Sequence, residues 1–210
     1  MTEEAWLACS DPTCMGPFIV RAASKRKARL LACACCRRLG HVLPDALRGY
    51  LDAAERYADR RSKKGELPIG LKGMGKRDYA SQAVLEATYR HASVSSLLFT
   101  LIHVRLAVAE NGLGDTGAEL TTESAAQATV IRDIIGNPFR PVTADTSWLT
   151  STTVGLARTI YEERAFDRLP ILADALEEAD CDEPAILDHC RSDGPHVRGC
   201  WAVDLVLGKE

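Results

Sequence analysis

Long hydrophobic runs are missing from this 210-residue chain. The longest stretch without a charged side chain, HASVSSLLFTLIHV from His91 to Val104, is too short to cross a bilayer and suits a buried helix, so no membrane segment is expected. The first twenty residues hold Glu3, Glu4 and Asp11 with no basic leader ahead of an apolar run, which argues against export and for a cytoplasmic protein. Strand patterning is missing as well, since apolar and polar residues nowhere alternate over a useful length, and no period of about 30 to 45 residues repeats. Signatures of chemistry are equally scarce: there is no G-x-S-x-G, P-loop, H-E-x-x-H or dinucleotide fingerprint.

What is present is helical. Apolar residues make up 46% and charged residues 26% of the chain, the composition of an ordinary folded domain. Thr2 and Asp11 stand where helix caps belong, Asp11 with Pro12 behind it at the first helical position. Ser24 opens SKRKARLLACACCRRLGHVL, in which Ala28, Leu31, Ala32, Cys35, Leu39 and Val42 share a stripe while Lys25, Arg26, Arg29 and Arg37 lie largely off it. This predicts an amphipathic helix with a basic outer side. A second helix around Leu47, Tyr50, Leu51, Ala54 and Ala58 follows Pro44 closely enough to pack antiparallel to the first. Asp78 to Glu110 reads as one long helix or two joined by a kink, with Leu97, Leu98, Leu101 and Ile102 in its most buried half. Another helix opens at TTES and stops at Gly136. NPFRPV is then held out of helix by its prolines, and three or four short helices complete the last third. The expectation is an all-α, compact bundle of seven to nine helices in a single domain spanning 1–210, with loops near 62–77 and 111–121.

Net charge is only −3, but Arg21 to Arg77 carries 16 Lys/Arg against 5 Asp/Glu, and the remainder 10 against 24. Either Lys25, Arg26, Arg29, Arg37 and Arg38 face a nucleic acid or another polyanion, or the basic and acidic parts neutralise each other within the fold. The overall acidity favours the second.

Eight cysteines without an export signal read as reduced thiols or metal ligands. Cys33, Cys35 and Cys36 cannot converge from one helix and are read as packing residues beside Ala28 and Ala32, although Arg37 and Arg38 are near enough to activate a thiol. Near the carboxy terminus, Cys181, Cys190, His196 and Cys200 are spaced C-x8-C-x5-H-x3-C. They form a complete donor set for zinc. The spacing is similar to the C-x8-C-x5-C-x3-H of CCCH zinc fingers with the last two ligands exchanged. Buried core cysteines joined by an ordinary turn are the simpler reading, so no metal is favoured and zinc is the cofactor held as the alternative.

Asp188, His189, Cys190, His196 and Asp204 can converge on a catalytic site only if the last two helices fold together. His91 and His103 read as interior histidines. Asn137, Phe139 and Arg140 in NPFRPV, with His196, Arg198 and Trp201 in GPHVRGCW, are the candidate ligand-binding residues, because both are rigid turns that present a cation beside an aromatic ring. Arginines that cap helix ends give the same pattern.

RLLACACCRRLGHVL, IRDIIGNPFRPV, IYEERAFDRLPILADALEEADC and ILDHCRSDGPHVRGCWAVDLVLGKE together resemble a family of uncharacterised bacterial proteins that occurs as many paralogues in some large genomes. The resemblance covers the end of the chain, 131–210, and its beginning, 1–60. It implies a real domain and carries no activity, so no catalytic residue transfers from it. Taken together, the sequence points to a non-enzymatic helical interaction module with an unidentified protein partner. Polyanion binding through 21–77 is the first alternative, and an enzyme with a Cys/His/Asp site near the carboxy terminus is the second.

Overall fold

In the computed structural model of the chain, residues 1–40, 42–60, 78–88, 93–111 and 116–209 are described. Among them there are eleven α-helices and no strand, which gives the expected all-α class with more and shorter helices than anticipated. In chain order they are α1 Glu3–Ala8, α2 Pro12–Ala22, α3 Lys25–Arg37, α4 Asp45–Ala58, α5 Tyr79–Thr88, α6 Val94–Asn111, α7 Thr116–Ile135, α8 Ser151–Glu163, α9 Leu169–Glu177, α10 Pro184–Arg191 and α11 Trp201–Val206. Single 3-10 turns stand at Thr146–Trp148 and Phe166–Arg168. Among the described residues no helix is long and apolar enough to cross a membrane. The loop expected at 62–77 lies outside the described residues. Of the loop expected at 111–121, Asn111 ends α6 and Thr116 already opens α7. The chain divides into two compact units, Met1–Ile131 and Arg132–Glu210.

The amino-terminal unit is built around α3, which packs against α4, α5 and α6. Its start is fixed locally, because Ser24 Oγ accepts the Lys27 amide hydrogen at 3.1 Å. The same device starts α1, through Thr2 Oγ1 on the Ala5 amide, and α2, through Asp11 Oδ1 on the Thr13 amide. The amphipathic picture of α3 needs correction. Every residue from Ala28 to Cys36 is buried, Arg29 included, so the helix is central and has no free basic side along that length. Small Ala and Cys side chains let several neighbours approach it closely. In α6, by contrast, Leu97 and Leu101 are buried while Phe99 and Ile102 are exposed, so the most apolar run does not form the most buried element.

The basic residues of α3 are answered by carboxylates of the same unit. Arg26 Nε meets Asp59 at 3.0 Å, Arg37 bridges Asp52 and Glu55, and Arg38 holds Glu123 through a fork of contacts at 2.9 to 3.0 Å. Arg29 lies over the Tyr57 ring at 5.0 Å. Four of the five residues proposed for a polyanion surface are therefore engaged within the unit, as internal neutralisation requires.

The carboxy-terminal unit takes the last turn of α7 and continues through α8 to α11. Helix α9 packs on α8 and α10, and α11 packs on α8 and α10, around Ile160, Tyr161, Leu172, Leu176, Ile186 and Val203. Thr150 caps α8, and Glu183 with Pro184 starts α10. NPFRPV is non-helical as expected but closes a turn, with Asn137 Oδ1 accepting the Phe139 amide at 3.0 Å and Asn137 O accepting that of Arg140 at 3.2 Å.

Candidate metal centre

Three helix ends and one turn of the carboxy-terminal unit aim polar side chains at a single point. Asp133 stands in the last turn of α7, which Gly136 ends in the left-handed conformation at φ +73°. A β-carbon on Gly136 would lie 3.2 Å from the Trp201 ring, so the glycine lets the indole close over the end of α7. His189 comes from the last turn of α10, and the turn after it delivers His196. Cys200 is the residue that caps α11, reached through Gly199 at φ +96°.

Asp133, His189, His196 and Cys200 bring one ligand atom each to within 4.8 Å of one another. Asp133 Oδ1 lies 2.8 Å from His196 Nδ1 and 3.2 Å from His189 Nε2, and His189 Nε2 lies 3.2 Å from Cys200 Sγ. The imidazoles meet edge to face with centroids 4.8 Å apart, and Trp201 flanks His189 at 5.0 Å. Asp133 is 4% exposed and Cys200 fully buried. The unit thus contains a buried His/His/Asp/Cys cluster able to coordinate a metal such as zinc, for which imidazole, thiolate and carboxylate are the ordinary donors. In a tetrahedron with bonds of about 2.0 Å to N or O and 2.3 Å to S, neighbouring ligand atoms are about 3.3 to 3.5 Å apart. Both contacts of His189 are close to that edge length.

The surrounding hydrogen bonds suit ligation. Asp133 Oδ2 accepts the Val197 amide hydrogen at 2.9 Å, which leaves Oδ1 facing the cluster. His196 Nε2 faces the Ser192 carbonyl at 3.1 Å. A carbonyl only accepts, so Nε2 carries a hydrogen, and a neutral imidazole then points the bare lone pair of Nδ1 at a carboxylate oxygen. Two acceptors this close in a buried site need a proton or a metal cation between or beside them. Metal-bound histidines have this arrangement, with the remote N–H held by a carbonyl and the near nitrogen free for the ion.

Electrostatics follow the same geometry. Burial works against the Asp133 charge, yet the hydrogen bonds and charges of His189 and His196 outweigh it and hold the carboxyl below its ordinary value. Burial also works against an imidazolium at His196, and there the Asp133 contact and the Ser192 carbonyl win and raise it. The Cys200 thiol is pushed well up by burial and by the Asp133 charge, with the Val203 and Ala202 amides opposing. With thiol and carboxyl ionised the set carries two negative charges, which one divalent ion cancels.

Of the four residues singled out by C-x8-C-x5-H-x3-C spacing, His196 and Cys200 belong to this cluster, while Cys181 and Cys190 are buried in the adjoining core and are not members. The Cys190 thiol is pushed up to about 12 by burial first and then by Asp133. Asp188 is exposed and Asp204 buried outside the group. Arg198 lies over Tyr161 at 4.9 Å and donates to its carbonyl at 3.4 Å, so it serves the carboxy-terminal end of α8. Phe139 and Arg140 are exposed on the turn organised by Asn137, and Trp201 shields His189. Cys33, Cys35 and Cys36 are buried, and burial raises the thiols of Cys35 and Cys36, the reverse of activation. His103 stacks near Tyr79 and Phe99, and His91 lies outside the described residues.

Asp133 is the member that sequence reasoning misses, because it lies far from His189 along the chain and no spacing rule links them. A local signal exists nonetheless. Asp133 sits among Val130, Ile131, Ile134 and Ile135 in the final turn of a helix, where the helix dipole disfavours a carboxylate. Such a conflict between a residue and its position is expected at functional or strained sites. No protein-family model, curated protein or solved structure matches the chain.

Proposed function

We propose that the carboxy-terminal unit is a metal-binding domain and that the chain acts at its Asp133, His189, His196 and Cys200 centre, as an enzyme or as a binding site for a small ligand, with zinc as the resident ion. The observation that carries this is the convergence of four donors of three chemical kinds, two of them already held from behind by Val197 and Ser192. A mixed set with one thiolate and three N or O donors suits zinc better than magnesium or calcium, which prefer all-oxygen shells. Of the alternatives drawn from the sequence, this is the site near the carboxy terminus, in place of the interaction module. The internal pairing of Arg26, Arg37 and Arg38 lends nothing to the polyanion alternative.

Membership of the bacterial family is part of the same proposal. All four donors fall within IRDIIGNPFRPV and ILDHCRSDGPHVRGCWAVDLVLGKE, two of the segments on which the resemblance rests. The deciding experiment is elemental analysis of purified full-length protein. About one zinc per chain is expected, abolished in Asp133→Ala and Cys200→Ala. A metal-free protein that takes up neither zinc nor cobalt overturns the proposal.

A further inference from the structure

We infer that His196 is the exchangeable member of the centre, so that the fourth coordination position opens to an oxygen donor from outside: water first, then a carboxylate or carbonyl group of a substrate. This rests on the metal-binding reading above and adds that the centre is reactive and not a closed structural staple.

The four donors are not equivalent. His189 Nε2 stands at 3.2 Å from both Asp133 Oδ1 and Cys200 Sγ, so two ligand pairs already lie close to the edge length of a ligand tetrahedron. His196 Nδ1 stands at 2.8 Å from Asp133 Oδ1. That is hydrogen-bond length, shorter than the about 3.3 Å expected for two ligands of one ion. His196 Nδ1 has two partners available, a metal or the Asp133 oxygen, and cannot serve both at once.

The scaffold makes the same distinction. Asp133 and His189 are fixed in helical turns and Cys200 at the start of α11, whereas His196 lies in the turn behind exposed Asp193, Gly194 and Pro195. The ring is tethered from its far side by Nε2 on the Ser192 carbonyl, so it can leave the metal without leaving the site. Three protein ligands with one open position is the pattern of catalytic zinc, and closed sets rich in cysteine are the pattern of structural zinc. Here only one donor is sulfur. In the exchange, a metal–Nδ1 bond would be replaced by a metal–oxygen bond to water, with Asp133, His189 and Cys200 keeping the ion in place. With His196 released, its Nδ1 would stay 2.8 Å from Asp133 Oδ1 beside the open position, and an ion held by Asp133, His189 and Cys200 would supply Lewis acidity to the oxygen donor bound there.

The test loads the full chain with one equivalent of Co(II) and follows its visible absorption and the thiolate-to-cobalt band during titration with acetate. The expected result is that acetate shifts the visible spectrum of the wild type while the thiolate band persists. His196→Ala should retain Co(II) at one equivalent, and added imidazole should restore the wild-type spectrum. His189→Ala and Cys200→Ala should bind none at the same concentration. A wild-type spectrum indifferent to acetate, or His196→Ala losing cobalt as completely as His189→Ala, overturns the inference and leaves a closed structural site. A wild type that binds no cobalt overturns the metal-binding reading itself, and this inference with it.

Discussion

The two units settle their buried charges in opposite ways. In the amino-terminal unit, Glu55 and Glu123 are buried against the guanidinium groups of Arg37 and Arg38. A guanidinium is protonated at every accessible pH, so these carboxylates have a permanent counter-charge. In the carboxy-terminal unit, Asp133 is equally buried and faces two imidazoles and a thiol, none of which carries an obligatory positive charge. The cysteines divide the same way. Cys33, Cys35 and Cys36 lie buried along one helix and belong to no group of converging donors among the described residues, while Cys200 meets nitrogen and oxygen donors brought by other elements. A buried thiol is therefore informative only through what converges on it.

The largest expected contrast is between thiols. Cys200→Ala should abolish metal uptake and lower the unfolding free energy by on the order of 5 kcal/mol in zinc-loaded protein. Cys36→Ala should cost about 1 kcal/mol and leave metal content unchanged. Urea unfolding with and without a chelator measures both, and a chelator that leaves wild-type stability untouched breaks the contrast.

Next comes the counter-charge. Glu123→Gln should destabilise by about 2 kcal/mol with no dependence on metal, because Arg38 loses its buried partner while keeping some access to solvent. Asp133→Asn should be more destabilising in the presence of zinc than in its absence. Equal effects of zinc on the two variants would contradict the assignment.

In metal-free protein, the pH dependence should be two-sided. The Asp133 carboxyl is lowered in the fold, so its stabilisation is present above the ordinary carboxylate value and lost as pH falls through the depressed one. His196 is raised, so its stabilisation is full below the ordinary imidazole value and lost as pH rises through the elevated one. Stability of the carboxy-terminal unit should peak between these limits, and Asp133→Asn should flatten both flanks. A profile unchanged by that substitution would deny the pairing.

The smallest effects belong to glycines. Gly136→Ala should cost about 1 kcal/mol, since the residue is left-handed and its β-carbon would press on Trp201. Gly49→Ala in α4, with open space around it, should stabilise the chain by about 0.5 to 1 kcal/mol. Thermal melts of the two variants moving in the same direction would be the contrary result.

The helices are legible in the sequence because their causes are local. Thr2, Asp11 and Ser24 cap where their side chains predict, and Gly136 stops α7 where it should. The burial of α3 is less so, since the same basic residues fit a solvated face and a set of internal ion pairs until Asp59, Glu55 and Glu123 are seen opposite them. Of the centre, His196 and Cys200 are legible as donors and their companions are not. Spacing finds ligands that share a turn, and Asp133 comes from another helix. His189 reads only as a catalytic base, because the adjacent Cys190 is the residue that matches the finger-like spacing.

The position of Asp133 along the chain has a consequence in polymer terms. An ion bound by Asp133 and His189 ties two distant points of one chain into a wide ring. In the unfolded ensemble, a cross-link of that span removes conformational freedom worth about 4 kcal/mol by the loop-closure relation used for disulfides. Any metal that stays coordinated through unfolding therefore acts as a reversible covalent-like staple, one that a cell can fasten or release by controlling free zinc without changing the redox state of a thiol.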